Sequence, residues 1–168
     1  GRQTLVQQKD AITSNTEHEW AYTYNPANLT LSNEQITYNK GSADELVNTI
    51  TRSYEDGSNN TVNLRPSGYS LINDPNNTAT NIQTIDYSYD NVGRLASVSN
   101  ANTSDSFSYN YSANAVSLLA QVISPVHTTD LTYESNRNVL TNRANTLNSD
   151  SSDISSYAYT SNELGQRT

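Results

Sequence analysis

The chain contains no cysteine and no methionine. The first absence removes disulfides, thiolate nucleophiles and cysteine-bearing zinc sites together. The second makes the sequence read as a mature or excised fragment, and no signal-peptide pattern of charged and apolar regions is present. No apolar run approaches the length of a membrane-spanning helix, so no membrane span is expected. Charge is scarce too, at 15% of residues, with 9 basic against 17 acidic and a net charge of −8. A surface of that sign repels a phosphate backbone, so nucleic acid is not an expected partner. Leu, Ile, Val and Phe supply only 31 of 168 residues, a thin stock for a conventional core.

What is abundant is Asn, Ser and Thr, together with twelve tyrosines. Disordered chains combine high charge with few aromatics, and this composition has the opposite balance. Asn, Ser and Thr suit turns and the wet side of a sheet; tyrosine suits a half-buried pleated surface, where the ring packs and the hydroxyl stays hydrated.

The tyrosines fall in pairs two residues apart: Tyr22 and Tyr24, Tyr87 and Tyr89, Tyr109 and Tyr111, Tyr157 and Tyr159. That spacing puts both rings on one face of an extended strand. Leu131 and Tyr133 keep the same spacing, so units begin near 87, 109, 131 and 157, at intervals of 22, 22 and 26. An interval of this size fits two short strands and their turns. In the first unit Asp90, Asn91 and Gly93 form a turn signal between Tyr89 and a second strand opened by Leu95. Looser versions run from Tyr133 to Leu140 and from Tyr157 to Thr168, and Gly1-Arg2 reads as the back half of a unit. Between 25 and 82 the pattern decays, with Asp56-Gly57 as a hairpin turn. Ser42 to Ile50 and Ala113 to Val122 are the only stretches that could be helical, the second reading equally well as a strand.

Candidate chemistry is sparse. Glu17, His18 and Glu19 gather three metal-ligand types, but strand alternation points the histidine away from the glutamates. Ser124, His127 and Asp130 have the residue types of a catalytic triad without the pocket that orients one. The acids Asp86 and Asp90, and Asp150 and Asp153, read as solvated. No catalytic residue, metal site or cofactor is assigned, and no enzyme activity is expected. Exposed aromatic platforms beside amides also bind sugars, which leaves Trp20, Tyr22 and Tyr24 as possible glycan or partner contacts.

The stretch Tyr87-Ser-Tyr89-Asp90-Asn91-Val92-Gly93-Arg94-Leu95 resembles the Y-x-Y-D-x-x-G-R-L signature of RHS/YD repeats at every specified position. With Tyr109, Tyr111, Tyr157 and Tyr159 in later copies, the resemblance covers 83–168 and extends as divergent strands over 1–82, one continuous repeat domain. Proteins of this kind include bacterial polymorphic toxins, toxin-complex shells and teneurin ectodomains. The resemblance implies an all-β fold of antiparallel hairpins in a spiral sheet, secretion or cell-surface display, and enclosure of a toxin or other cargo or, alternatively, adhesion to a surface glycan. Free sheet edges imply either self-association or continuation within a longer shell.

Overall fold

A computed structural model describes residues 1–55, 64–75, 80–113 and 117–168, without the side chains of 74 and 75. The Asp56-Gly57 turn lies outside these residues. Twelve strands succeed one another: β1 (Leu5–Lys9), β2 (Thr16–Tyr24), β3 (Leu31–Tyr38), β4 (Leu46–Tyr54), β5 (Pro66–Pro75), β6 (Thr80–Tyr89), β7 (Leu95–Asn100), β8 (Asp105–Tyr111), β9 (Leu119–Ile123), β10 (His127–Tyr133), β11 (Leu140–Leu147) and β12 (Asp153–Ala158). They form one open sheet in chain order, and the described pairings are antiparallel. The all-β expectation holds. The segment weighed as a helix over 42–50 is instead the entry to β4, where Val47, Thr49, Ile50 and Thr51 are β-branched and lose less side-chain freedom in a strand.

Contacts group the chain into two units, residues 1–86 with 100–103 and residues 87–99 with 104–168. In the first, register separates two chemistries. One face carries the row Val6, Trp20, Ile36, Asn48, Asn73 and the row Tyr22, Glu34, Ile50, Leu71, Gln83. The other carries Thr23, Asn33, Thr51, Ser70 and Thr84 directly abreast. On the more apolar face Arg52 Nη2 pairs with Glu34 Oε2 at 2.8 Å across neighbouring strands. Ile36, Ile50 and Leu71 are half-buried, each contributing about 1 kcal/mol, roughly half of full burial.

The second unit replaces apolar packing with side-chain ladders. Thr129 Oγ1 donates to Asn145 Oδ1 at 2.7 Å and Asn145 Nδ2 to Ser155 Oγ at 2.8 Å, in the row headed by Tyr109 and Val122. On the opposite face Asn110 Nδ2 donates to Gln121 Oε1 at 2.9 Å, and Gln121 Nε2 to Asp130 Oδ1 at 2.7 Å. Among the described residues no hydrophobic side chain is fully buried; the buried polar ones are Thr37, Ser124 and Thr129. The core has been exchanged for cross-strand pairs, each worth a fraction of a kcal/mol to about 1 kcal/mol.

Several hairpin loops share one closure. The N–H groups of Asp10, Asn25 and Leu147 donate to the carbonyls of Asn15, Thr30 and Ser152, and the residue before each acceptor, Ser14, Leu29 or Ser151, has φ near +60°. Leucine in that conformation is strained, because its Cβ crowds the adjoining carbonyl. Leu29 is also 53% exposed, so its side chain packs little. Leu29→Gly is therefore expected to raise stability by about 0.5–1 kcal/mol, read as a higher melting temperature in calorimetry. An unchanged or lower value would remove the strain argument.

Candidate functional site

The tyrosines that end β2, β4, β8 and β10 do the same thing. Each hydroxyl reaches across to the beginning of the preceding strand and donates to a backbone carbonyl: Tyr24 to Gln3 at 3.1 Å, Tyr54 to Leu31 at 3.0 Å, Tyr111 to Leu95 at 3.0 Å and Tyr133 to Leu119 at 2.9 Å. A single bond of this type is worth about 1 kcal/mol. Two of the rings are also covered by a guanidinium, with Arg2 5.1 Å from the Tyr24 centroid and Arg94 4.1 Å from that of Tyr111. In both cases the residue after the arginine supplies the carbonyl that the tyrosine hydroxyl bonds. Gly1-Arg2-Gln3 is thus the geometric equivalent of Gly93-Arg94-Leu95.

The turn after Tyr89 is organised by Asp90. Its Oδ1 accepts the N–H groups of Val92 at 3.0 Å and Arg94 at 2.9 Å, and Oδ2 accepts Arg94 Nε at 2.7 Å. Gly93 supplies the positive φ of 88°. The same arrangement recurs at Asn162, whose Oδ1 accepts Leu164 and Gln166 N–H, each at 3.0 Å, with Gly165 at φ 77°. In the terminal unit the turn therefore comes after Ser161 and not after Tyr159, two residues later than alignment on the tyrosine pairs predicts. The Asx residue with glycine three positions on decides where the chain reverses. Tyr159 remains stacked, with Arg167 3.9 Å from its centroid.

Acid–arginine pairs close further turns beside the tyrosines: Glu55 with Arg65 at 2.8 Å, and Glu134 Oε1 with Arg137 Nη2 at 2.8 Å. Arg137 also donates to the carbonyls of Asn162 and Glu163, both at 2.9 Å, tying its turn to the terminal one. Tyr54 has no aromatic residue two positions before it and Tyr133 has only Leu131, so pair spacing gives neither ring much weight. The available signal is a tyrosine with an acid immediately after it at a strand end.

Partial desolvation opposes ionisation of Asp90, but the hydrogen bonds from Arg94 and Val92 outweigh it and lower the carboxyl below its ordinary value of 3.8. Asp10 is lowered by the backbone and hydroxyl of Thr13, and Asp150 by Ser152. Because these folded-state values lie below the unfolded ones, their stabilisation is complete above pH 3.8 and is lost as pH falls further. Asp90→Asn should keep the turn, as Asn162 does, while reducing the acid-induced fall of melting temperature. A steeper fall would show that the carboxylate is not stabilising the turn.

The remaining candidates have structural partners. Glu19 bonds Lys40 and Gln7 on one face, while His18 on the other meets Trp20 edge-on at 6.5 Å and Tyr38 at 5.5 Å. Ser124 Oγ lies 3.0 Å from His127 Nδ1 but accepts the His127 N–H at 2.9 Å within a turn, and Asp130 bonds Gln121. Asp130 and His127, three residues apart on β10, face opposite sides, so the three do not assemble a triad. Tyr22 lies directly across from Glu34, and Tyr157, 53% exposed, from Arg143. The Arg2 guanidinium over the ring of Tyr24 takes up a surface on which a sugar could stack.

Together these features define a hairpin-repeat sheet locked at its strand ends by tyrosine. No family model and no curated protein matches the chain. Two solved structures share the fold: a chain in the crystal structure of TcdB2-TccC3-TEV, with a TM-score of 0.56 and 14% identity over 94% of this chain and 9% of that one, and a chain in that of TcdB2-TccC3-Cdc42, with a TM-score of 0.50 and 15% identity over 95% and 10%. The sequence thus spans at most 10% of the length of either chain.

Proposed function

We propose that the chain is a non-enzymatic structural segment of a secreted RHS/YD shell that encloses or displays a toxin or other cargo. The observation that carries this reading is a sheet whose hairpins are clasped to one another while no hydrophobic side chain is fully buried among the described residues. Such a segment gains by being covered on one face, which a closed wall supplies. The Y-x-Y-D-x-x-G-R-L match and the shared fold of the TcdB2-TccC3 chains support it.

The absence of cysteine offers a direct test. Thr49→Cys and Ile50→Cys place single thiols on opposite faces of β4 in an otherwise cysteine-free segment. Within the full-length polypeptide, a wall that encloses cargo protects one thiol from a bulky maleimide by about tenfold or more relative to the other, a difference abolished by denaturant. Equal labelling of both in the native polypeptide would overturn enclosure and leave display on an open surface as the alternative.

A further inference from the structure

At one end of β9 and β10 lies a cavity of about 430 Å³ whose walls include Leu118, Leu131, Tyr133 and Glu134. We infer that it is a binding site for a guanidinium group, the arginine side chain of a partner polypeptide, which stacks on the ring of Tyr133. This inference goes beyond the shell reading and does not depend on it.

The protein itself shows what covers a ring held in this way. At the Tyr24 and Tyr111 clasps the residue before the acceptor carbonyl is Arg2 or Arg94, and its guanidinium stands 5.1 or 4.1 Å from the ring centroid. At the Tyr133 clasp the acceptor is Leu119, so the same place belongs to Leu118. The turn closures agree: the Asp90 N–H donates to the Arg94 carbonyl and the Ser112 N–H to the Leu118 carbonyl, both at 2.8 Å. Leucine brings no charge, and among the described residues no guanidinium covers Tyr133. Leu118 and Tyr133 both line the cavity, so there is room beside the place where the sister units hold an arginine.

The surroundings suit that ligand. The volume lies in the range of small-ligand sites. The Tyr133 hydroxyl bonds the Leu119 carbonyl at 2.9 Å, so the ring is fixed before any ligand arrives and little ordering cost remains on binding. Arg137, the cation already present, is taken up by Glu134 and by the carbonyls of Asn162 and Glu163 and does not compete for the ring. Asn136 and Asn138 also line the cavity at the surface, and their side chains bond no other described residue, leaving amide oxygens to accept guanidinium N–H groups. A guanidinium is planar and weakly hydrated, so it stacks on an aromatic face at a lower desolvation cost than an ammonium does. The net charge of −8 favours the approach of a cation.

The test is titration of the chain with N-acetylarginine amide, followed through the side-chain resonances of Tyr133 and Leu118 by NMR. Saturable shifts with millimolar affinity are expected, and the neutral isostere N-acetylcitrulline amide should bind about tenfold more weakly or not at all. Leu118→Arg, which supplies the guanidinium from within the chain, is expected to abolish binding of the added ligand. Tyr133→Leu, which removes the ring, is a second blocked variant, and circular dichroism checks that each retains the sheet. Absence of saturable shifts in the unaltered chain, equal binding of the citrulline compound, or binding that survives both substitutions would overturn the assignment. None of these results bears on the face-selective labelling of β4, so the two readings fail separately.

Discussion

Gly68→Ala is expected to destabilise the protein by several kcal/mol, far more than the same change at Gly165. Gly68 has a φ of 155° and sits in β5 between β4 and β6, opposite Ser53 and Asp86. A Cβ built there would lie against the Ile85 carbonyl oxygen, closer than any real Cβ contact, and 3.2 Å from Asp86 Cα. Both atoms are backbone of the paired strand, so relief requires β5 and β6 to separate. Gly165→Ala provides the comparison, since its φ is also positive at 77° but the added carbon meets only Val139 Cγ2 at 3.8 Å. That change should cost about 1 kcal/mol, the conformational penalty alone. Calorimetric melting of the two variants decides the matter: similar losses would mean that β5 and β6 are not held as closely as their register indicates.

Removal of a whole repeat should be tolerated where removal of half a repeat is not. Excising residues 112–133 joins Tyr111 to Glu134, restoring a tyrosine with an acid after it and keeping the Glu134–Arg137 turn. The hydroxyl of Tyr111 already bonds Leu95, outside the excised segment, and β8 would meet β11 in the register that β10 now uses. A ten-stranded chain with an unchanged type of circular dichroism spectrum and a cooperative melt is expected. Excising residues 112–125 removes β9 alone, joins the finishing end of β8 to the starting end of β10 and reverses the direction of β10, β11 and β12. Loss of cooperative melting is expected there, because only Val126 remains to form the turn and pairing β10 with β8 in the reversed direction puts the side chains of β10, β11 and β12 on the wrong faces of the sheet. If both deletions melt alike, the two-strand unit is not the repeat.

The strands were readable because their signals are local. Alternation of Tyr22 with Tyr24 or Tyr109 with Tyr111 sets a face, and the Asp90 to Gly93 turn sets a reversal, without knowledge of distant residues. β4 was ambiguous because Leu46, Val47 and Ile50 also satisfy helical spacing, and pairing with β3 and β5 is what settles the outcome. The hydroxyl contacts of Tyr54 and Tyr133 were not visible, since their acceptors lie 23 and 14 residues away and are backbone oxygens with no side-chain signature. The two-residue displacement of the terminal turn was visible in principle, as Asn162 and Gly165 repeat the spacing of Asp90 and Gly93, but the tyrosine pairs are the more conspicuous landmark.

The side-chain ladders have a thermal consequence. Exposing apolar surface raises the heat capacity of a protein as it melts, whereas exposing amides and hydroxyls lowers it. A sheet that replaces buried leucine and valine with rows such as Thr129, Asn145 and Ser155 therefore melts with a heat-capacity increment below the usual value of about 12–15 cal/mol/K per residue. Its stability curve is correspondingly flat, so the sheet changes little in strength between cold and warm surroundings.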